Sequence, residues 1–135
     1  MKLNSLYPVI CTQNLEQLKE YYMTLFEFEL TFDSDWYVSL KFKQEPRFEL
    51  ALLDPSLESL PEAFQKSVQG LLINMEVEDV DKEYKRLTSF RPDIVLDIRT
   101  EEWGQRHFII KDPAGVLIDV IQNIEPGDEY KDQYQ

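Results

Sequence analysis

Three short stretches near the end of the chain decide its fold: Trp103-Gly104-Gln105-Arg106-His107-Phe108, Asp112-Pro113-Ala114-Gly115 and Val116-Leu117-Ile118-Asp119. The Asp-Pro-Ala-Gly sequence is typical of a tight turn, because proline fixes one backbone angle and glycine accepts conformations that other residues avoid. The apolar residues on either side predict strands at 106–111 and 116–122. We therefore expect two strands joined by this turn.

Working outward from this turn, we find the order strand–helix–strand–strand–strand twice. The first copy has predicted strands at 6–12, 28–32, 36–42 and 47–53, and a helix of about 12 residues that begins at Asn14. The second has predicted strands at 70–78, 94–100, 106–111 and 116–122, and a helix capped by Asp79. The two caps are 65 residues apart in the sequence. The predicted fold class is α+β, built from tandem βαβββ modules.

The same pattern predicts how the chain is organised. We expect one domain over residues 1–135, with module 1 at about 6–53, a linker at 54–69 that holds one helical turn, module 2 at about 70–122 and a tail at 123–135.

Composition excludes several classes of function. The chain carries 26 acidic and 14 basic residues, for a net charge of −12. Such a charge repels nucleic acids and anionic membrane surfaces, but it attracts cations. Because no apolar run reaches the roughly 18 residues of a membrane span and the start has no apolar signal core, we expect a cytoplasmic protein. With a single cysteine and a single histidine, the chain cannot form a zinc site from four cysteines, or from two cysteines and two histidines.

Side-chain alternation predicts which residues point away from the helix in each module. On the face that packs against a helix we expect Pro8, Ile10, Phe48, Leu50, Leu52, Ile73, Met75, Val77, Ile118 and Val120. On the opposite face we expect Tyr7, Val9, Cys11, Arg47, Glu49, Ala51, Leu53, Leu72, Asn74, Glu76, Leu117, Asp119 and Ile121. The second set mixes polar, small and large side chains, which a pure core would not do.

The tandem βαβββ order with W-G-x-x-x-F and D-P-x-G resembles the vicinal oxygen chelate superfamily, the glyoxalase and bleomycin-resistance group. The start of the chain is also similar: Asn14-Leu15-Glu16, Tyr21-Tyr22 and Leu25-Phe26-Glu27-Phe28 stand where the family has D-L, F-Y and L-G-F. The similarity covers roughly residues 6–122. It implies a cupped mixed sheet with outer helices, a cavity within, and a homodimer.

The resemblance also implies where a metal would bind, with one ligand from each of the first, fourth, fifth and eighth strands. These positions are Tyr7, Glu49, Leu72 and Asp119, where the family usually has His and Glu. Only the two acids here are strong ligands, and the imidazoles that Zn, Ni or Fe would need are missing. We therefore expect no metal and no cofactor.

Several side chains have alternative interpretations. Glu49 and Asp119 either line a pocket, where they bind a cation or act as a general base, or form solvated pairs or salt bridges with Arg47 or Arg106. For His107 we expect a structural or surface role. The ring of Trp103 is expected at the cavity rim, as a stacking surface for a planar or cationic ligand.

These observations predict a metal-independent protein that binds a small molecule, similar to the bleomycin-resistance members that sequester their ligand. The alternative is a glyoxalase, lyase or dioxygenase type of enzyme with an atypical or absent metal site, for which the sequence assigns no catalytic residue. The predicted ligand, cationic or aromatic, contacts Tyr7, Glu49, Leu72, Asn74, Trp103 and Asp119.

Overall fold

The computed structural model describes residues 1–134 and divides the chain into two compact units, one from Met1 to Gln69 and one from Gly70 onward. Each unit holds one four-stranded sheet and one α-helix in the order βαβββ. The predicted α+β class with tandem βαβββ modules is therefore confirmed.

The first unit contains β1 (Val9–Cys11), α1 (Leu15–Leu25), β2 (Phe28–Asp33), β3 (Tyr37–Phe42) and β4 (Glu49–Leu53). Its strand order is β1-β4-β3-β2, with β1 parallel to β4 and the other pairs antiparallel. A short 3-10 helix, Glu62–Phe64, lies in the linker, where the sequence predicted one helical turn.

The second unit repeats this arrangement with β5 (Leu72–Glu76), α2 (Val80–Thr88), β6 (Asp93–Glu101), β7 (Gln105–Lys111) and β8 (Leu117–Asn123). Its strand order is β5-β8-β7-β6, with β5 parallel to β8. A second 3-10 helix, Lys131–Gln133, lies in the tail. Among the described residues, no helix is long and apolar enough to span a membrane.

Each helix covers one face of its own sheet, because apolar side chains recur at helical spacing in the helix and at every second residue in the strands. In α1 the buried side chains include those of Leu18 and Tyr22, and the Tyr22 ring packs on Phe28 of β2. In α2 the ring of Tyr84 lies edge-on to Phe108 of β7, with 5.0 Å between the ring centroids. This packing leaves the other face of each sheet without a helix from its own unit.

Two glycines of the motif near the end of the chain permit the hairpins of the second sheet. Gly115 has a φ of +85° in the turn before β8, and the Asp112 carboxylate accepts hydrogen bonds from the amides of Ala114 and Val116 in the same turn. Gly104 has a φ of +105° in the turn between β6 and β7, where a Cβ atom would lie 3.0 Å from the carbonyl oxygen of Ile124. Both positions need glycine for their backbone angle, and Gly104 needs it for space as well.

Three local predictions are wrong. Pro8, which was expected to face the helix, precedes β1 and is exposed. Phe48 does not pack against the helix: β4 begins one residue later, and Phe48 is 61% exposed. Asn14 precedes α1 as predicted, but its side chain makes no capping hydrogen bond. Its backbone, with φ −109° and ψ 62°, lacks the extended conformation that Asp79 adopts before α2, where the Asp79 carboxylate accepts from the Lys82 amide at 3.1 Å.

The two caps offer a matched test of this difference. Replacement of Asp79 by alanine removes a side-chain cap and should lower the free energy of unfolding by about 1 kcal/mol. Replacement of Asn14 by alanine removes no capping bond and should change it far less. Urea unfolding followed by circular dichroism measures both variants, and equal losses would contradict the assignment.

Candidate functional site

The six residues predicted to contact a ligand belong to two units, and in each unit they lie on the side of the sheet without a helix or at its edge. We call these sides the first and second helix-free faces. The first is formed by Val9, Cys11, Tyr37, Ser39, Lys41, Glu49, Ala51 and Leu53. The second is formed by Leu72, Asn74, Glu76, Arg99, Glu101, Gln105, His107, Ile109, Leu117, Asp119 and Ile121.

Tyr7 and Glu49 come together on the first helix-free face. Tyr7 precedes β1 and is 43% exposed. Burial raises the pKa of the Tyr37 phenol, a hydrogen bond with Ser39 opposes this, and the nearby Tyr7 and Glu49 raise the pKa further. The Ser5 hydroxyl donates to the Glu49 carboxylate, and both residues line a surface cleft of about 630 Å³. The Glu49 carboxylate is thus bonded to the Ser5 hydroxyl and lies near the Tyr37 phenol, which in turn is paired with Tyr7.

Leu72, Asn74 and Asp119 come together on the second helix-free face. Asn74 of β5 lies directly across from Asp119 of β8, and Leu72 lies two residues earlier on the same side of β5. Leu72 is 49% exposed, whereas Asp119 is only 7% exposed. Asp119 is therefore on the predicted face but is mostly buried there.

Trp103 lies in the turn between β6 and β7, beside the second helix-free face. Its indole nitrogen donates to the Gln105 side chain at 2.9 Å, and its ring centroid is 6.5 Å from that of His107. The ring is 39% exposed, so part of it is free to stack on another molecule. The convergence of all six residues on one cavity stays a prediction.

His107 is the centre of the most buried polar cluster on this face. Its Nδ1 atom lies 2.7 Å from Asp119 Oδ1, and its Nε2 atom lies 2.9 Å from Glu101 Oε2. Arg99 donates to the same Glu101 oxygen at 2.9 Å and 3.0 Å. The four residues, which we call the His107 cluster, join two carboxylates and two basic side chains across β6, β7 and β8.

The electrostatics of the His107 cluster favour a charged imidazole. Burial alone would lower the pKa of His107, but the hydrogen bonds and charges of Glu101 and Asp119 outweigh burial, so the pKa lies above its ordinary value of 6.5. The pKa of Glu101 is lowered, first by its hydrogen bond with His107 and then by Arg99. Glu101 and His107 therefore each stabilise the charged form of the other.

The salt bridges considered for the two candidate acids are not formed. Arg47 pairs with Glu45, and Arg106 pairs with Asp81 of α2 at 2.9 Å. Asp119 instead pairs with His107. Glu49 has no ion-pair partner among residues 1–134, because the lysine opposite it, Lys41, pairs with Glu29.

The sequence analysis recognised neither the pairing of His107 with Asp119 nor that of His107 with Glu101. The signal was the register that the Asp112–Gly115 turn imposes. This turn places Ile109 opposite Asp119, so His107 is a diagonal neighbour of Asp119 on the same face. The closeness of His107 to Asp119 could therefore have been predicted from the sequence, since a four-residue turn sets the strand pairing and side chains alternate between the two faces.

The donors do not fit the metal site that the family resemblance implies. Leu72 has no ligand atom, and one oxygen of Asp119 is already bonded to His107. Within the described residues, 1–134, no group of three or more His, Cys, Asp or Glu side chains is placed to hold a metal ion.

The His107 cluster predicts a pH dependence of stability. Because the pKa of His107 is higher in the folded protein than its ordinary value of 6.5, the protonated imidazole stabilises the fold fully below pH 6.5. This contribution is lost as the pH rises through the folded pKa. Urea midpoints should therefore fall between about pH 6 and pH 9 in the wild type more than in His107→Gln, and parallel curves for the two proteins would contradict the prediction.

Comparisons with known proteins agree with this architecture. No curated protein matches the chain significantly. Among solved structures, the chain is similar to a lactoylglutathione lyase from Agrobacterium tumefaciens, with 18% identity, a TM-score of 0.70, and coverage of 90% of this chain and 96% of the other. It is similar to TioX from Micromonospora sp. ML1, with 15% identity, a TM-score of 0.69, and coverage of 90% and 100%.

A third solved structure is a glyoxalase/bleomycin resistance protein/dioxygenase from Nocardioides, with 18% identity, a TM-score of 0.73, and coverage of 94% of this chain and 87% of the other. At these identities the structures show a common fold. A sequence profile of the glyoxalase/bleomycin resistance protein/dioxygenase superfamily matches residues 5–120, most of the chain. The chain therefore belongs to the glyoxalase/bleomycin resistance protein/dioxygenase superfamily.

Proposed function

We propose that this chain binds a small molecule without a metal ion, in the manner of superfamily members that sequester a ligand. The observation that carries the proposal is the state of the implied ligand positions: Leu72 offers no donor, and Asp119 is bonded to His107. The exposed parts of Tyr7, Leu72 and Trp103 supply apolar area, and each Å² that a ligand covers contributes roughly 25 cal/mol of binding free energy.

We also propose that the chain acts as a cytoplasmic homodimer.

Charge favours a cationic or aromatic amine as the ligand. Of the two candidate acids, Glu49 and Asp119, Glu49 is the one without an ion-pair partner among residues 1–134. The Asp119 charge is balanced by His107 inside the same cluster. Glu49 accepts a hydrogen bond from the Ser5 hydroxyl and forms no ion pair among residues 1–134, so its negative charge remains to attract a cation or to repel a carboxylate. Selection between amines and acids should therefore depend on Glu49 more than on Asp119.

A thermal-shift comparison of phenethylamine with 3-phenylpropionate tests this selection. The amine should stabilise the wild type more than the acid does. Glu49→Gln should weaken the amine roughly fivefold, which corresponds to about 1 kcal/mol for one partly exposed charge, and added salt should reduce the difference. Glu58→Gln, which removes a charge from the exposed linker, is the matched control and should leave the preference unchanged.

Asp119→Asn should behave differently in the same experiment. Because Asp119 is buried and bonded to His107, its loss should cost about 2 kcal/mol of stability and change the amine preference less than Glu49→Gln does. Stronger stabilisation of the wild type by the acid than by the amine would contradict the proposed charge selection.

The enzyme alternative is favoured by one observation, a histidine between two carboxylates, since such a group could move protons. Both of its ring nitrogens are already engaged, however, so the imidazole has no free atom to offer a substrate. Elemental analysis of protein purified without chelator separates the two functions. We expect far less than one Zn, Ni or Fe per chain, whereas a stoichiometric, tightly bound metal would support the enzyme.

A further inference from the structure

The imidazole of His107 has a carboxylate oxygen within hydrogen-bond distance of each ring nitrogen. With both carboxyl groups ionised, both contacts, at 2.7 Å and 2.9 Å, are hydrogen bonds when each ring nitrogen carries a hydrogen, which makes the ring an imidazolium. The side chain is 6% exposed, and a buried charge persists only when it is paired. Two carboxylates at hydrogen-bond distance from one buried ring therefore favour a positive charge at this position.

We propose that this imidazolium does for Asp119 what a bound divalent cation would do, and that it keeps divalent metals from the second helix-free face. It neutralises the eighth-strand carboxylate, holds it in one orientation through Oδ1, and joins it to Glu101. The proposal rests on the proposed metal-independent function, and it assigns the cause of that independence to one side chain on β7.

Charge and donor type explain how His107 would exclude a metal. A cation that approached Asp119 would meet the imidazolium at hydrogen-bond distance, and it would have to displace that ring to use Oδ1. With a neutral side chain at position 107, Asp119 and Glu101 would instead be two carboxylates beside a common gap. Carboxylate oxygens are hard donors, which suit Mn²⁺ or Ca²⁺ better than Zn²⁺.

The remaining partner limits how tightly such a metal could bind. Arg99 stays bonded to Glu101 Oε2 and carries a positive charge of its own. Two carboxylates, one of them paired, form a weak site that is completed by water. We therefore expect a gain in metal affinity on loss of His107, but no tight site.

Two substitutions at position 107 separate charge from shape. His107→Gln removes the positive charge and keeps a side chain of similar size, whereas His107→Lys keeps a positive charge. Titration of each protein with Mn²⁺, with free metal measured by electron paramagnetic resonance, should show roughly tenfold or more tighter binding by His107→Gln than by the wild type. His107→Lys should bind no more tightly than the wild type.

The double variant His107→Gln/Asp119→Asn shows whether the Mn²⁺ binds at Asp119. It should lose the gain in Mn²⁺ affinity, although the many other surface acids remain. Equal Mn²⁺ binding by His107→Gln and the wild type, or a gain that survives loss of Asp119, would overturn the inference and leave the amine-binding function untouched. Asp119-dependent Mn²⁺ binding by the wild type itself would overturn both. If His107→Gln does not fold in EDTA, Mn²⁺ should restore the circular dichroism spectrum of His107→Gln but not that of the double variant. A spectrum of His107→Gln that Mn²⁺ does not restore would overturn the inference.

Discussion

Each sheet of this chain has only one face covered by a helix, and this constraint determines where the polar side chains can lie. Strand residues alternate between faces, so the apolar positions that meet α1 and α2 force their neighbours to the helix-free face. Phe108 packs on Tyr84 of α2, and His107, one residue earlier, therefore points the other way. The same alternation places Glu49 beside the buried Leu50. The proposed binding chemistry is a consequence of how the core is built.

The His107 cluster reconciles burial with charge in a strongly acidic chain. Its two carboxylates and two basic groups balance one another, although the chain as a whole carries a net charge of −12. Buried ions are costly unless they are paired, and here each has a partner within hydrogen-bond distance. Because His107 pairs with Asp119, Glu49 is the candidate acid whose charge remains available to a ligand.

The order of elements could be predicted from the sequence because periodicity, caps and turns are local signals. Leu18 and Tyr22 recur at helical spacing, and the Asp112–Gly115 turn has side-chain and backbone requirements that few sequences satisfy. Helix capping was harder to predict. Asn14 is a residue type that often caps helices, but its backbone angles do not allow its side chain to make the capping hydrogen bond. The contacts of His107 depend on strand register and on which acids lie diagonally across the sheet. Residue type alone does not give that information.

Nuclear magnetic resonance of the imidazole nitrogens is the most direct test of the central claim, that His107 is an imidazolium bound by two carboxylates. Because the chain has a single histidine, its ¹⁵N signals need no assignment. At pH 6.5, the ordinary pKa of the group, we expect the doubly protonated ring to predominate, with both nitrogens coupled to hydrogens. A spectrum dominated by one neutral tautomer at that pH would contradict the claim.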